Sequence, residues 1–197
     1  MIGWFLLLAA LPCGAEDLFL TPSSFAVSQG ERISFAIEGG SWTTEQIKDP
    51  VLVAATGVYN LTNLRVVEGV LKVDGTAKSK GSLIAAVQSA HRQEQYFAKV
   101  LLTCDAPGDM ASRIVGHALE IVPEGAPSGG EVFVQVLLRG KPVVSVPVEI
   151  VSNGSIRKSV GVTRADGKLS VKIGELGVYR IAAVHETMRA SFTFEMK

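Results

Sequence analysis

Cysteine is nearly absent from this chain. There are two in 197 residues, Cys13 and Cys104, and Cys13 lies in an apolar leader, so Cys104 alone is left to the mature chain and cannot close an intramolecular disulfide. Neither sign of charge is in excess: 19 Lys+Arg oppose 19 Asp+Glu, none of them within residues 1–15, so no field favours nucleic acid or an anionic membrane. Sustained apolar periodicity of a helical kind is almost missing, which argues against helical layers. Catalytic and metal signatures are missing too. There is no Cys-x-x-Cys, His-Glu-x-x-His or Gly-x-Ser-x-Gly, and the nearest approach to a phosphate loop, Gly161 to Lys168, has five residues between its glycines and runs into a strand. With no nucleophile set beside a base, the chain reads as a non-enzyme.

What is present begins with residues 1–15, MIGWFLLLAALPCGA, an uncharged apolar run ending in small residues. It reads as a secretory signal peptide, because a bilayer-spanning helix needs about 20 apolar residues. Cleavage after Ala15 leaves Glu16 as the mature N-terminus and no transmembrane segment, which implies a periplasmic or secreted protein. A lipoprotein acylated at Cys13 is the alternative, opposed by Pro12 just before the cysteine and by Ala10 where a branched apolar residue is usual.

The mature chain is a succession of short apolar segments separated by Gly, Pro, Asn and Ser, the pattern of an all-β protein. Strands are predicted at Leu18–Leu20, Ile33–Ile37, Val51–Thr56, Leu64–Val67, Leu71–Val73, Leu83–Val87, Tyr96–Leu102 and Ser112–Ile121. Composition then breaks at PEGAPSGG, which resists both helix and strand, so residues 16–123 are read as one β-sandwich, 124–130 as a linker and 131–197 as a second sandwich in tandem. In the second unit Val132, Val134, Val136 and Leu138 alternate with Phe133, Gln135, Leu137 and Arg139. Gly140-Lys141-Pro142 turns the chain, and Val144, Val146, Val148 and Ile150 alternate again. Ala165-Asp166-Gly167 suits a tight hairpin turn before Leu169, Val171 and Ile173. A strand follows with Tyr179, Ile181, Ala183 and His185 on one face, and Ala190–Met196 closes the sandwich. Leu176-Gly177-Val178-Tyr179 suggests the tyrosine corner of Ig-like sandwiches, a packed ring whose hydroxyl reaches backbone.

Few side chains remain as chemical candidates. His91 falls in a polar segment expected as a solvated loop. His117 shares a face with Leu119 and Ile121 and is expected as a satisfied, partly buried ring. Cys104 is expected as a half-buried small hydrophobe at a strand end. The sequons at Asn60 and Asn153 occupy turn-like contexts where Asn is already favoured. His185, at a strand end and followed by Glu186, is the histidine with a case as a ligand, against the ordinary reading of a core-edge ring bonded to backbone.

Three segments carry a family resemblance. The mature opening Glu16 to Phe25, the run Tyr96 to Leu102 with Gly116 to Pro123, and the end Thr163 to His185 together resemble a bacterial periplasmic domain-of-unknown-function family described as nickel-uptake-associated. The resemblance implies an exported all-β protein with an Ig-like first unit and a transthyretin-like or carboxypeptidase-regulatory-like C-terminal unit. It also implies Ni²⁺ or Co²⁺ as cargo and a nickel/cobalt importer as partner. His185 matches the family's C-terminal histidine, and with Glu16, Asp17 and Glu186 it forms the implied metal set. Two departures stand out. Members open on His where this chain has Glu16, which removes an imidazole from the N-terminal chelate, and the long helical insertion that many members carry between the equivalents of Ser89 and Tyr96 is missing. Two expectations therefore stand side by side: metal capture or delivery, and a non-catalytic structural or interaction module that binds an envelope protein or glycan without metal.

Overall fold

The computed structural model describes residues 17–106, 114–125, 127, 129–152 and 156–197. The expected signal peptide, Cys13, Glu16 and Asn153 lie outside the described residues. Among those described, all regular structure is β, arranged in three sheets.

The front sheet has the order β1 (Phe19–Pro22), β3 (Arg32–Glu38), β7 (Val70–Thr76) and β6 (Thr62–Val67). The central sheet runs β14 (Ile156–Val162), β13 (Pro147–Ser152), β16 (Gly177–His185), β17 (Met188–Met196), β9 (Glu94–Cys104), β8 (Gly81–His91), β4 (Ile47–Ala54) and β5 (Gly57–Asn60). The short β2 (Ala26–Val27) lies alongside the end of β9. The back sheet holds β11 (Glu131–Leu138) between β10 (Leu119–Pro123) on one side and β15 (Lys168–Lys172) with the short β12 (Lys141–Pro142) on the other.

Two apolar cores flank the central sheet. Leu52, Leu83, Ala85, Val87, Ala98, Val100 and Leu102 face the front sheet, where they meet Ile33, Phe35, Leu71 and Val73. Their neighbours Val53, Ile84, Phe97 and Leu101 point the other way into a core shared with β11, β13, β16 and β17. Strands β8 and β9 are thus covered on both faces, and for that reason their sequences read as nearly continuous apolar runs rather than alternating ones.

The expected boundary does not separate two sheets. Segment 124–130 joins β10 to β11, antiparallel partners in register from Leu119↔Leu138 to Pro123↔Val134, so it is a hairpin connection. The last strand, β17, pairs in parallel with β9 from Met188↔Gln95 to Thr193↔Val100, making one sheet of strands from both halves. One expected hairpin is corrected. After β12 the chain crosses to β13 in the central sheet, and β14 and β15 belong to different sheets, so Ala165-Asp166-Gly167 turns an arch rather than a hairpin. Its local chemistry is as expected. Gly167 has a φ of 73°, its N–H donates to Arg164 O at 2.9 Å, and Asp166 Oδ1 accepts from Lys168 N. The polar segment around His91 is also not a loop. Strands β8 and β9 continue to His91↔Glu94, closed by Arg92 and Gln93 with φ of 50° and 74°, the left-handed pair that a two-residue hairpin turn needs.

The N-terminal strand is fastened across the halves. Ser191 Oγ bonds the Leu18 carbonyl, Arg180 pairs with Glu38 and donates to Thr21 Oγ1 at 2.8 Å, and its guanidinium lies 5.0 Å from the Phe19 ring centroid. Gly39, at φ +94°, allows the approach: a Cβ there would stand 2.4 Å from the Asp17 carbonyl oxygen. Tyr179 behaves as its corner motif predicts, donating to Glu175 O at 2.9 Å with its ring against Phe194.

Candidate functional site

The described residues of the expected metal set, Asp17, His185 and Glu186, are not brought together. Asp17 is buried, and its carboxylate is taken by Arg157, with Arg189 at 3.9 Å. His185 pairs with Met188 at the end of β16 and, by strand alternation, follows Ile181 and Ala183 toward the back-sheet core. Arg189, which engages Asp17, is paired with Val184 and therefore belongs to the opposite face. Glu186 is an exposed turn residue with φ of 54°. Among the described residues no group of three His, Cys, Asp or Glu could hold a metal ion. Asp17, His185 and Glu186 therefore do not fit a shared nickel or cobalt site, and Glu16 lies outside the described residues. Cys104 is fully buried and free, its thiol pushed up by burial, which makes it a core side chain rather than a nucleophile.

A different constellation lies where β4, β5 and the far end of β8 meet the segment that leads into β10. Its foundation is a buried ion pair. Lys99 on β9 and Glu120 on β10 are each 1% exposed, with Nζ 2.6 Å from Oε1. Glu120 also accepts the N–H of Val115 at 2.7 Å and of Gly116 at 3.0 Å, so it holds the approach to β10 as well as the lysine. Burial pulls the Lys99 ammonium below its ordinary range, against the attraction of Glu120.

Held in place by this anchor, His117 packs against Phe97 at 5.2 Å between ring centroids. It is 8% exposed, and its Nδ1 is buried with no hydrogen-bond partner among the described residues, which corrects the expectation of a satisfied ring. Burial depresses its pKa to about 4. The ring is neutral at physiological pH, and its proton belongs on Nε2, because a buried N–H without an acceptor costs more than a bare lone pair.

His117 forms part of the wall of a cavity of about 300 Å³ together with Asp49, Val51, Val53, Val58, Gln88, Ile114, Val115 and Gly116. A β-bulge builds that wall. Lys48 faces Gln88 and Val51 faces Ala86, so β4 carries one extra residue, with Asp49 in the left-handed region at φ of 45°. The extra residue resets the alternation, which turns Val51 and Val53 away from the front-sheet core that Ile47 occupies and toward the cavity. Gln88 Nε2 donates to Asp49 Oδ2 at the opening. Val58 and Ile114, 65% and 56% exposed, complete an apolar rim.

The family model described as a domain of unknown function, DUF4198, matches residues 38–187. The chain belongs to this family. The part of this DUF4198 chain that matches contains Asp49, Gln88, Lys99, His117 and Glu120, whereas β1 and β17 fall outside it. Comparison with curated proteins gives no match. Among solved structures, a chimeric titin Z1Z2 carrying a decorin peptide is 15% identical at a TM-score of 0.26, covering 92% of this chain and 97% of that one. A two-domain fibronectin type III segment of chicken tenascin is 13% identical at 0.30, covering 90% and 97%. The BSP domain of a biofilm-associated protein is 13% identical at 0.29, covering 89% of this chain and 29% of that one. No helix among the described residues of the DUF4198 chain is long and apolar enough to cross a membrane.

Sequence reasoning missed Asp49, Gln88, Lys99 and Glu120. Lys99 and Glu120 did leave a signal, since each is a lone charge inside an apolar strand run, Tyr96 to Leu102 and Leu119 to Val122, and such charges are kept where they pair. Acid should expose the buried histidine. Its folded pKa lies below the unfolded value of about 6.5, so the unfolded chain binds more protons between these values and stability falls as pH drops from 6.5 to 4. The loss amounts to at most about 3 kcal/mol. Urea unfolding of the wild type and His117→Phe across that range checks this, because the histidine's share of the acid sensitivity should vanish in the variant.

Proposed function

We propose that the protein is an exported, non-catalytic binding module of the cell envelope whose ligand enters the cavity between Val58 and Ile114. One observation carries this reading: a buried imidazole, whose Nδ1 has no hydrogen-bond partner among the described residues, lies in the wall of a cavity rimmed by exposed apolar side chains. Buried polar groups are normally satisfied, and an apolar cavity with a few convergent polar groups is the usual form of a binding site. The exposed rim supports the same reading, since apolar side chains left at a cavity mouth become covered when a ligand group enters.

The test is a fragment titration of the chain beginning at Glu16, followed by the methyl signals of Val51, Val58 and Ile114 and by the His117 ring. Fragments that bind should shift these signals together, and Val51→Phe, which fills the cavity from its half-buried wall, should remove the response. Binding that shifts other surfaces only, or that survives Val51→Phe unchanged, would count against the proposal.

A further inference from the structure

Resting on the reading of this cavity as a binding site, we infer that the group it takes is a primary alkylammonium, carried by a small amine or by a lysyl side chain. The charge of the wall decides the class. Lys99 and Glu120 lie behind it as a closed pair, 1% exposed on both sides, and present no net charge to the opening. The neutral His117 ring adds none. The remaining charged group in the wall is Asp49, which forms no ion pair among the described residues. Gln88 donates to its Oδ2, and no donor among the described residues reaches Oδ1. Among the described residues no cationic side chain lines the cavity. An anionic ligand would meet Asp49 unshielded, and an uncharged one would leave that carboxylate without a counter-ion.

The shape decides the rest of the ligand. Below the carboxylate the wall is Val51, Val53, Val58, Ile114 and Val115, which suits a methylene chain rather than a polyhydroxylated ring. Asp49 is also held at the mouth by a backbone conformation that non-glycine residues seldom adopt, φ of 45° just before Pro50. The bulge in β4 sets this conformation and places Asp49 in the cavity wall beside Gln88. The ammonium meets Asp49 at the opening while its alkyl chain is covered by the valines.

The experiment titrates n-pentylammonium, pentan-1-ol, pentanoate and Nα-acetyl-lysine methylamide separately into the chain beginning at Glu16, reading the methyl signals of Val51, Val58 and Ile114. Pentylammonium should bind about tenfold more tightly than pentanol, pentanoate should bind more weakly than either, and Asp49→Asn should abolish the tenfold preference. Asparagine keeps the size and tolerates the left-handed backbone, and an unchanged thermal transition verifies that the variant folds. If the lysine derivative competes with pentylammonium, the source is a lysyl side chain; if it does not, the source is a free amine. Pentanol or pentanoate binding as tightly as pentylammonium, or a preference that survives Asp49→Asn, would overturn the alkylammonium assignment and leave the cavity as a site. No shift of these methyls with any of the four probes would overturn both the assignment and the binding site itself.

Discussion

Lys99→Met is expected to lower the unfolding free energy by about 3–5 kcal/mol, a large share of the roughly 5–15 kcal/mol that holds a domain together. The substitution leaves the buried Glu120 side chain with the N–H groups of Val115 and Gly116 but without the ammonium 2.6 Å away. Glu120→Gln should cost a similar amount from the other side, because it removes the counter-charge of a buried ammonium. The double variant Lys99→Met with Glu120→Gln should cost several kcal/mol less than the sum of the two, since no charge is then buried and the Gln carbonyl still accepts from Val115 or Gly116. Equilibrium urea unfolding of the four proteins measures this coupling. Additive losses would mean that the pair does not act as a unit. The consequence reaches the cavity, because Glu120 also holds Val115 and Gly116, which lie in its wall beside His117.

Phe192→Ala should be comparably severe, about 3–5 kcal/mol, because the ring is wholly buried and its loss leaves a cavity that a packed sheet cannot close. The ring stacks on Phe194 at 5.2 Å on β17, which has strand partners on both sides, β16 and β9. Val178→Ala on neighbouring β16, at a site 48% exposed, should stay within about 0.5 kcal/mol and serves as the control. The informative readout is Trp42, which lies in the front-sheet core, far in sequence from Phe192. Since β17 completes a sheet that supplies both cores, Trp42 fluorescence and far-UV circular dichroism should report one shared transition that moves together. A Trp42 transition left in place while the circular dichroism transition shifts would show that the halves unfold independently.

Much of the fold can be read from local pattern. Strand alternation in Val132, Val134 and Val136, the run of β8 and β9, the turn at Asp166-Gly167 and the corner at Tyr179 all appear where side-chain period and turn chemistry place them. Other strands were not legible. Gly57–Asn60 and Ile156–Val162 form edge strands with weak apolar alternation, and the pairing of neighbours completes them. The candidate site was hardly legible. His117 stood out as a residue, yet its neighbours Asp49 and Gln88 come from β4 and β8, and one of them depends on a bulge that has no signature in composition. His185 and Asp17 drew attention by type and position, while the fold gives Asp17 to Arg157 and turns His185 toward the opposite face.

By itself the sequence determined most of the core strands, which of their side chains turn inward and several of the bends, because these follow from a period of two and from the few residues that accept a left-handed backbone. It also determined that no excess charge and no cysteine framework would shape the protein. Only the tertiary structure decided which strand pairs with which. An apolar face is satisfied by any apolar partner, so β17 beside β9, β15 beside β11 and the arch between β14 and β15 are choices among pairings of similar local cost. The cavity follows from those choices: it forms where β4, β5 and the end of β8 meet the approach to β10, and it is walled by Asp49, Gln88 and His117, residues that lie far apart along the chain.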